Sequence, residues 1–251
     1  MTKLLLIKYG AKVIGVGRDA TKLLSLAEEL PLKQRENFIY RTFDVGERAA
    51  WAALKAELDD LSVFPALVIN NAGVFPDFAL FTQSGAVQIE RTLQVNFYSA
   101  VYSAEIFLPS LQGRGGLVNI SSSAALCPIV GTASYCASKS ALKGFTEAIC
   151  LEYGKDTYIG IMFPGTTATS LFKGNKELSN SGLLERFATS PKKMASWIIK
   201  KILRKKKRAV LGVDAKAMNF LAKLAPVGGP KLIRSILKKF GAKYFGSVFV
   251  E

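Results

Sequence analysis

Four side chains in the middle of this 251-residue chain have the types and spacing to move a proton. Tyr135 and Lys139 stand four residues apart in "SYCASKSALKGF". If that stretch is helical, the two share a face about 6 Å apart along the axis. A free phenol, with a pKa of about 10, exchanges protons poorly at neutral pH. A nearby ammonium favours the phenolate and draws that pKa down. The pair is therefore expected to serve as a general acid or base. It would need no histidine, and the chain has none. Ser122 closes the apolar run "LVNIS", where a hydroxyl could hold an oxygen on which charge develops. Asn96 sits within a long helical stretch upstream.

The same composition excludes other chemistry. Without histidine there is no Ser-His-Asp triad, despite the serines at 121–123. The three cysteines, Cys127, Cys136 and Cys150, lack paired metal spacing, so a zinc site is not expected and a reducing compartment is. No apolar run is long enough for a membrane span, and the N-terminal run is too short for an export signal, so the chain is read as cytoplasmic.

The elements that must position these residues alternate along the chain. β-like runs are expected at 11–17, 37–45, 66–73, 116–122, 158–165 and 208–214. Helical patterns separate them, including a long one from about 87 to 112 and one carrying Tyr135 and Lys139. Such alternation predicts an α/β fold, a parallel sheet covered on both faces. Ligands bind beyond the carboxyl ends of such strands, where Asn70, Ser122 and Gly165 all fall.

Together "NNAG", "NISS", "YCASK" and "PGTTAT", in this order and spacing, resemble the short-chain dehydrogenase/reductase family from about Ala11 to Asp214. The resemblance implies a Rossmann-type doubly wound sheet in a three-layer α/β/α arrangement. It also implies hydride transfer between a nicotinamide cofactor and a carbonyl or alcohol. By that resemblance Tyr135 gives or takes the proton, and Lys139 lowers its pKa and holds the nicotinamide ribose. Ser122 binds the substrate oxygen, while Asn96 holds a helix distortion and a water on the proton path. Asp44 and Val45 would meet the adenine. Asn71, Ala72 and Gly73 would let the backbone approach the cofactor, and Pro164, Gly165 and Thr169 would line the nicotinamide end. The segment after "PGTTAT", about Ser170 to Ser190, would cover the substrate. Leu126, Cys127, Ile129 and Val130 hint at an apolar one.

Gly15 to Ala20, "GVGRDA", fits the fingerprint Gly-x-Gly-x-x-Gly/Ala. The distances to "FDV" and "NNAG" instead make Ala11–Gly17 the family's second strand. Such a strand ends beside the adenosine ribose, where Arg18 suits a 2′-phosphate, so NADP(H) is preferred over NAD(H). It follows that the first strand and its phosphate loop belong upstream of Met1. The sequence is accordingly read as a shortened form of an active enzyme.

Charge is concentrated at one end. Sixteen Lys/Arg and one acid, Asp214, lie between Lys192 and Lys243, and that segment equals the whole net charge of +15. Residues 1–214 are assigned to the catalytic domain and 215–251 to a basic amphipathic extension of it. In the extension, Leu232, Ile233, Ile236, Leu237 and Phe240 fall on one helical face. That stripe has three open readings: packing on the domain or a partner subunit, peripheral contact with an anionic membrane, or nucleic-acid binding, the least expected. The family often associates through its long helices, so a homo-oligomer is expected. A second reading of the whole is a catalytically silent relative that binds a membrane or partner through this basic region.

Overall fold

The computed structural model describes residues 1–76, 78–168, 188–245 and 248–249, and the side chains of these except 240–245. Thr169 and the segment 170–187, where the substrate cover is expected, lie outside the described residues.

Six strands run through the centre: β1 Val13–Gly17, β2 Phe38–Thr42, β3 Leu67–Asn70, β4 Gly116–Ile120, β5 Tyr158–Pro164 and β6 Arg208–Leu211. All pairings are parallel. Each lies within a run picked out by its β-branched and apolar residues. The last differs from expectation: β6 stops at Leu211, and Val213 already starts a helix. The helices are α1 Thr2–Tyr9, α2 Ala20–Glu28, α3 Leu32–Arg35, α4 Arg48–Asp60, α5 Phe81–Leu93, α6 Ser99–Leu111, α7 Ala133–Tyr153, α8 Pro191–Leu203, α9 Val213–Leu224 and α10 Gly228–Phe245. The expected long helix after residue 87 is thus broken, because one turn of π-helix, Gln94–Tyr98, separates α5 from α6. The boundary drawn between 214 and 215 falls inside α9.

Three layers result. Leu117 of β4 and Ile159 of β5 face one side, packing with Trp51, Leu54 and Leu58 of α4 and Phe107, Leu108 and Leu111 of α6. Val118, Ile120 and Met162 face the other, against Met194, Ile198 and Ile202 of α8. The alternation along β4 follows from the two-residue side-chain period of a strand.

The sheet is not continuous. β1 pairs with β2, and β3-β4-β5-β6 form a separate sheet. Yet Ile14 and Val16 of β1 pack on the same cluster as Val68 of β3, so both sheets lie in one layer. Every residue of β4 is buried, whereas every residue of β1 and β3 is only half-buried. Each of those strands has one edge without a ladder partner among the described residues. This is where the resemblance places the first strand. No helix among the described residues is long and apolar enough to cross a membrane.

Candidate active site

The carboxyl ends of β3 and β4 are tied to each other and to α6 and α7 by a polar network. Asn70 and Asn119 are register partners, and Asn70 Nδ2 donates to Asn119 Oδ1 at 2.8 Å. Ser103 Oγ of α6 donates to Asn70 Oδ1 at 2.7 Å, and Asn119 Nδ2 donates to Thr146 Oγ1 of α7 at 2.8 Å. Buried polar groups satisfied in this way fix strand ends and helices in one arrangement. They set α7 relative to β4, hence Tyr135 and Lys139 relative to Ser122.

Helix α7 turns one stripe inward: Tyr135, Ser138, Lys139, Leu142, Thr146 and Ile149 are all buried. The stripe is polar at the site end and apolar at the other. Of the three serines at 121–123, only Ser122 is partly exposed. Ser121 Oγ donates to the Lys139 carbonyl at 3.0 Å and so anchors the helix. Ser122 Oγ accepts from Ala124 N at 3.2 Å and stands close enough to the Tyr135 hydroxyl to pull its pKa down. The structure therefore brings Ser122, Tyr135 and Lys139 together, with Lys139 Nζ 5.9 Å from the Tyr135 ring centre.

Their electrostatics differ from the sequence-based expectation. Burial pushes the Tyr135 phenol up to about 12, against a downward pull from the Ser122 hydrogen bond, with Cys136 adding a further upward push. Burial alone pulls the Lys139 ammonium down to about 8. Lys139 does not supply the lowering expected of it; desolvation dominates and disfavours the charged form of both groups. Near pH 7 the phenol is neutral and the ammonium still mostly protonated. Lys139 Nζ donates to the Ile120 carbonyl at 3.0 Å.

Asn96 sits in the π turn, fully buried. Its Oδ1 accepts from Val74 N at 2.7 Å, and its Nδ2 donates to Val74 O at 2.9 Å and Ser138 Oγ at 3.0 Å. Ser138 Oγ in turn donates to the Tyr135 carbonyl at 2.8 Å. Asn96 thus ties the loop after β3 to the helix carrying Tyr135, across the distortion expected of it. Ser138 was not singled out from the sequence, nor was Phe75, whose ring lies 4.9 Å from that of Tyr135. Phe75 and Ile129 pack against the cluster of Ala124, Tyr135 and Cys136, an apolar wall signalled only by their types.

The expected cofactor residues lie along the same strand ends. Asn71 and Ala72 are exposed beyond β3. A Cβ at Gly73 would stand 3.3 Å from Asn96 Oδ1 and 3.5 Å from Lys139 Nζ, so the backbone lies tight against both groups. Arg18 is exposed just past β1. Asp19 caps α2, its Oδ1 accepting from Lys22 N at 3.0 Å. A carboxylate already occupies that helix N-terminus and disfavours a second anion there, in keeping with the reading of "GVGRDA" as a strand end and not a phosphate loop. Asp44 is exposed with Oδ1 on Gly46 N at 2.9 Å. The side chain of Val45 is buried in the core, and its carbonyl accepts from Trp51 Nε1 at 2.8 Å. Pro164 ends β5, and Gly165 N donates to Leu211 O at 2.8 Å. A Cβ on Gly165 would collide with the Asp214 carboxylate, which accepts from Thr166 N. Arg18, Asp44, the 71–73 turn, Lys139 and Gly165 suit a dinucleotide laid across the strand ends. No glycine-rich phosphate loop occurs among the described residues.

Comparison with known proteins agrees with this geometry. The short chain dehydrogenase family model matches residues 2–179. Benzil reductase ((S)-benzoin forming) of Saccharomyces cerevisiae is 31% identical over 188 residues, which cover 70% of each chain. The NADPH-dependent pterin aldehyde reductase of Arabidopsis thaliana is 27% identical over 168 residues, 66% of this chain and 69% of that one. The crystal structure of a short-chain dehydrogenase from Streptomyces avermitilis superposes with a TM-score of 0.74 at 20% identity, over 98% of this chain and 93% of that one.

Proposed function

The chain belongs to the short-chain dehydrogenase/reductase family of NAD(P)-dependent oxidoreductases, and from that premise we propose that it interconverts a ketone and a secondary alcohol with NADP(H), using Tyr135 as general acid and base. Enzymes of this family act on small molecules and often form oligomers, and we propose a cytoplasmic homo-oligomer here.

One observation carries the reading. The neutral phenol of Tyr135 and the hydroxyl of Ser122 meet beside an apolar wall, with the buried ammonium of Lys139 5.9 Å from the Tyr135 ring centre. A carbonyl oxygen placed between those hydroxyls would receive a hydrogen bond from each. When bound, the cofactor supplies a hydride to the carbonyl carbon. As negative charge grows on the oxygen, Tyr135 transfers its proton to it and Ser122 stabilises it, giving the alcohol. The phenolate left behind is stabilised by Lys139, which is still charged below about pH 8. At neutral pH the phenol is in the protonated form that reduction requires, although burial makes it a weaker acid than a free phenol. Phe75 and Ile129 favour an apolar, lipid-like substrate.

The 2′-phosphate preference rests on Arg18, since the neighbouring Asp19 is engaged as a helix cap. NADPH and NADH binding, followed by cofactor fluorescence, tests it. Measurement on this chain and on forms carrying additional N-terminal sequence completes the test. An extended form that fails to bind either cofactor would remove the enzyme reading and leave the catalytically silent one.

A further inference from the structure

The hairpin of α9 and α10 carries an exposed apolar face that no other element among the described residues covers. On α9, Val213, Ala217, Phe220 and Leu224 recur at helical spacing and are all exposed, Phe220 at 61% and Leu224 at 69%. At about 100° per residue they fall within a stripe about 60° wide. Lys216 and Lys223 flank one side of it. On α10, Leu232 and Ile236 are 48% and 46% exposed, while Ile233 and Leu237 are half-buried. Of the open readings of the α10 stripe, packing on the domain accounts for its inner half only. The helices close tightly, since a Cβ at Gly229 would stand 2.8 Å from the Leu221 carbonyl oxygen.

The hairpin stands at the catalytic end. α9 begins where β6 ends and packs against the turn Ser123–Ala125 beside Ser122. Beyond α10, Val248 is buried against Gly131, two residues before α7 begins. The other basic cluster, Arg204 to Lys207, lies just before β6, at the opposite end of the sheet. The two clusters are thus separated by at least the length of β6, about 13 Å for four residues.

We propose that the outer face of α9 and α10 docks on an anionic lipid surface, with the mouth of the active site at its edge. The charge pattern selects this occupant. Lys216, Lys223, Lys231 and Arg234 are exposed around the apolar residues. The acid of the hairpin, Asp214, turns its carboxylate inward to Thr166 N. A second copy docked on the same face would meet its own positive charges, and a nucleic acid would leave Phe220 and Leu224 without apolar partners. Anionic headgroups and acyl chains satisfy both sets of side chains at once. The inference is independent of turnover and is tested without it.

Flotation with phosphatidylcholine vesicles, with and without phosphatidylserine, reads the docking directly. Binding is expected only with phosphatidylserine and is expected to weaken at high salt. A Phe220→Trp variant should show a blue-shifted emission on the same vesicles. Each lysine near an anionic surface strengthens binding about fivefold, so a Lys216→Gln, Lys223→Gln double variant should bind about 25-fold more weakly. Phe220→Glu with Leu224→Glu should abolish binding, and a circular dichroism spectrum like that of the unmodified chain would show the fold intact. Lys205→Glu with Lys206→Glu, at the far end, should change little. No association with phosphatidylserine vesicles at low salt would overturn the proposal. So would equal loss in the far-end variant, or a concentration-dependent dimer abolished by the Phe220 and Leu224 changes.

Discussion

Replacing Lys139 with methionine separates what the fold needs from what the chemistry needs. The ammonium is 4% exposed, and burial lowers its pKa from 10.5 to about 8. Below about pH 8 the lysine is protonated in both folded and unfolded chains, and the folded state bears the full desolvation cost. That depression corresponds to about 3 kcal/mol. Between about pH 8 and 10.5 the unfolded chain binds the proton more tightly than the folded one. Stability contributed by this group therefore rises with pH across that window. Methionine fills similar space without charge, at the loss of the hydrogen bond to the Ile120 carbonyl, worth about 1 kcal/mol. The variant should be about 2 kcal/mol more stable than the unmodified chain at pH 7, and about 1 kcal/mol less stable above pH 10.5. Urea unfolding followed by tryptophan fluorescence, at intervals from pH 6.5 to 10.5, measures the difference; Trp51 is buried in the core and reports on it. Comparing the two chains cancels Tyr135 and Tyr158, whose raised pKa values act in both above pH 10. A difference constant across pH, or a variant destabilised at pH 7, would refute the reasoning. Loss of turnover in a more stable protein would show that the buried charge is kept for catalysis.

Tyr135→Phe keeps the buried ring and the Phe75 contact but removes the transferable proton. Turnover should fall by about 10² to 10⁴-fold with NADPH affinity within a few-fold, measured by steady-state kinetics and cofactor fluorescence. Asn96→Ala strips the part-buried Val74 amide and carbonyl and the buried Ser138 hydroxyl of this partner. It should cost about 2–4 kcal/mol in denaturant unfolding, and a loss under about 0.5 kcal/mol would deny Asn96 its tying role. Arg18→Ala should weaken NADPH about 10- to 100-fold and leave NADH unchanged, and equal losses for both would exclude a 2′-phosphate contact. Amide hydrogen exchange should be slowest in β4 and faster in β1 and β3, whose edges face the break in the sheet; uniform protection would contradict the two-sheet arrangement.

Much of the site was legible because its spacings are local. Tyr135 and Lys139 share a face because α-helical hydrogen bonds repeat every 3.6 residues or so, whatever surrounds the helix. Ser122, Asn70 and Gly165 could be placed at strand ends because apolar runs stop there. The strand runs, the family resemblance and the misleading nature of "GVGRDA" all followed from order and spacing along the chain. The described structure adds to the last the engagement of Asp19 with Lys22.

Other features depend on which distant segments meet. Burial by neighbouring elements, rather than the four-residue spacing, sets Tyr135 near 12 and Lys139 near 8. Val45 turns inward because Trp51 of α4 and the helices behind it make a core there. Ser138 matters because the π turn carries Asn96 to within 3.0 Å of it, from forty-two residues earlier in the chain. The basic extension shows the division most plainly. Its amphipathic period is written in the residues, but whether the apolar stripe is covered depends on whether another element reaches it. For Phe220 and Leu224 none among the described residues does. Periodicity belongs to the backbone of one element and survives in the sequence. Desolvation and exposure are sums over all neighbours, so only the assembled tertiary structure determines them.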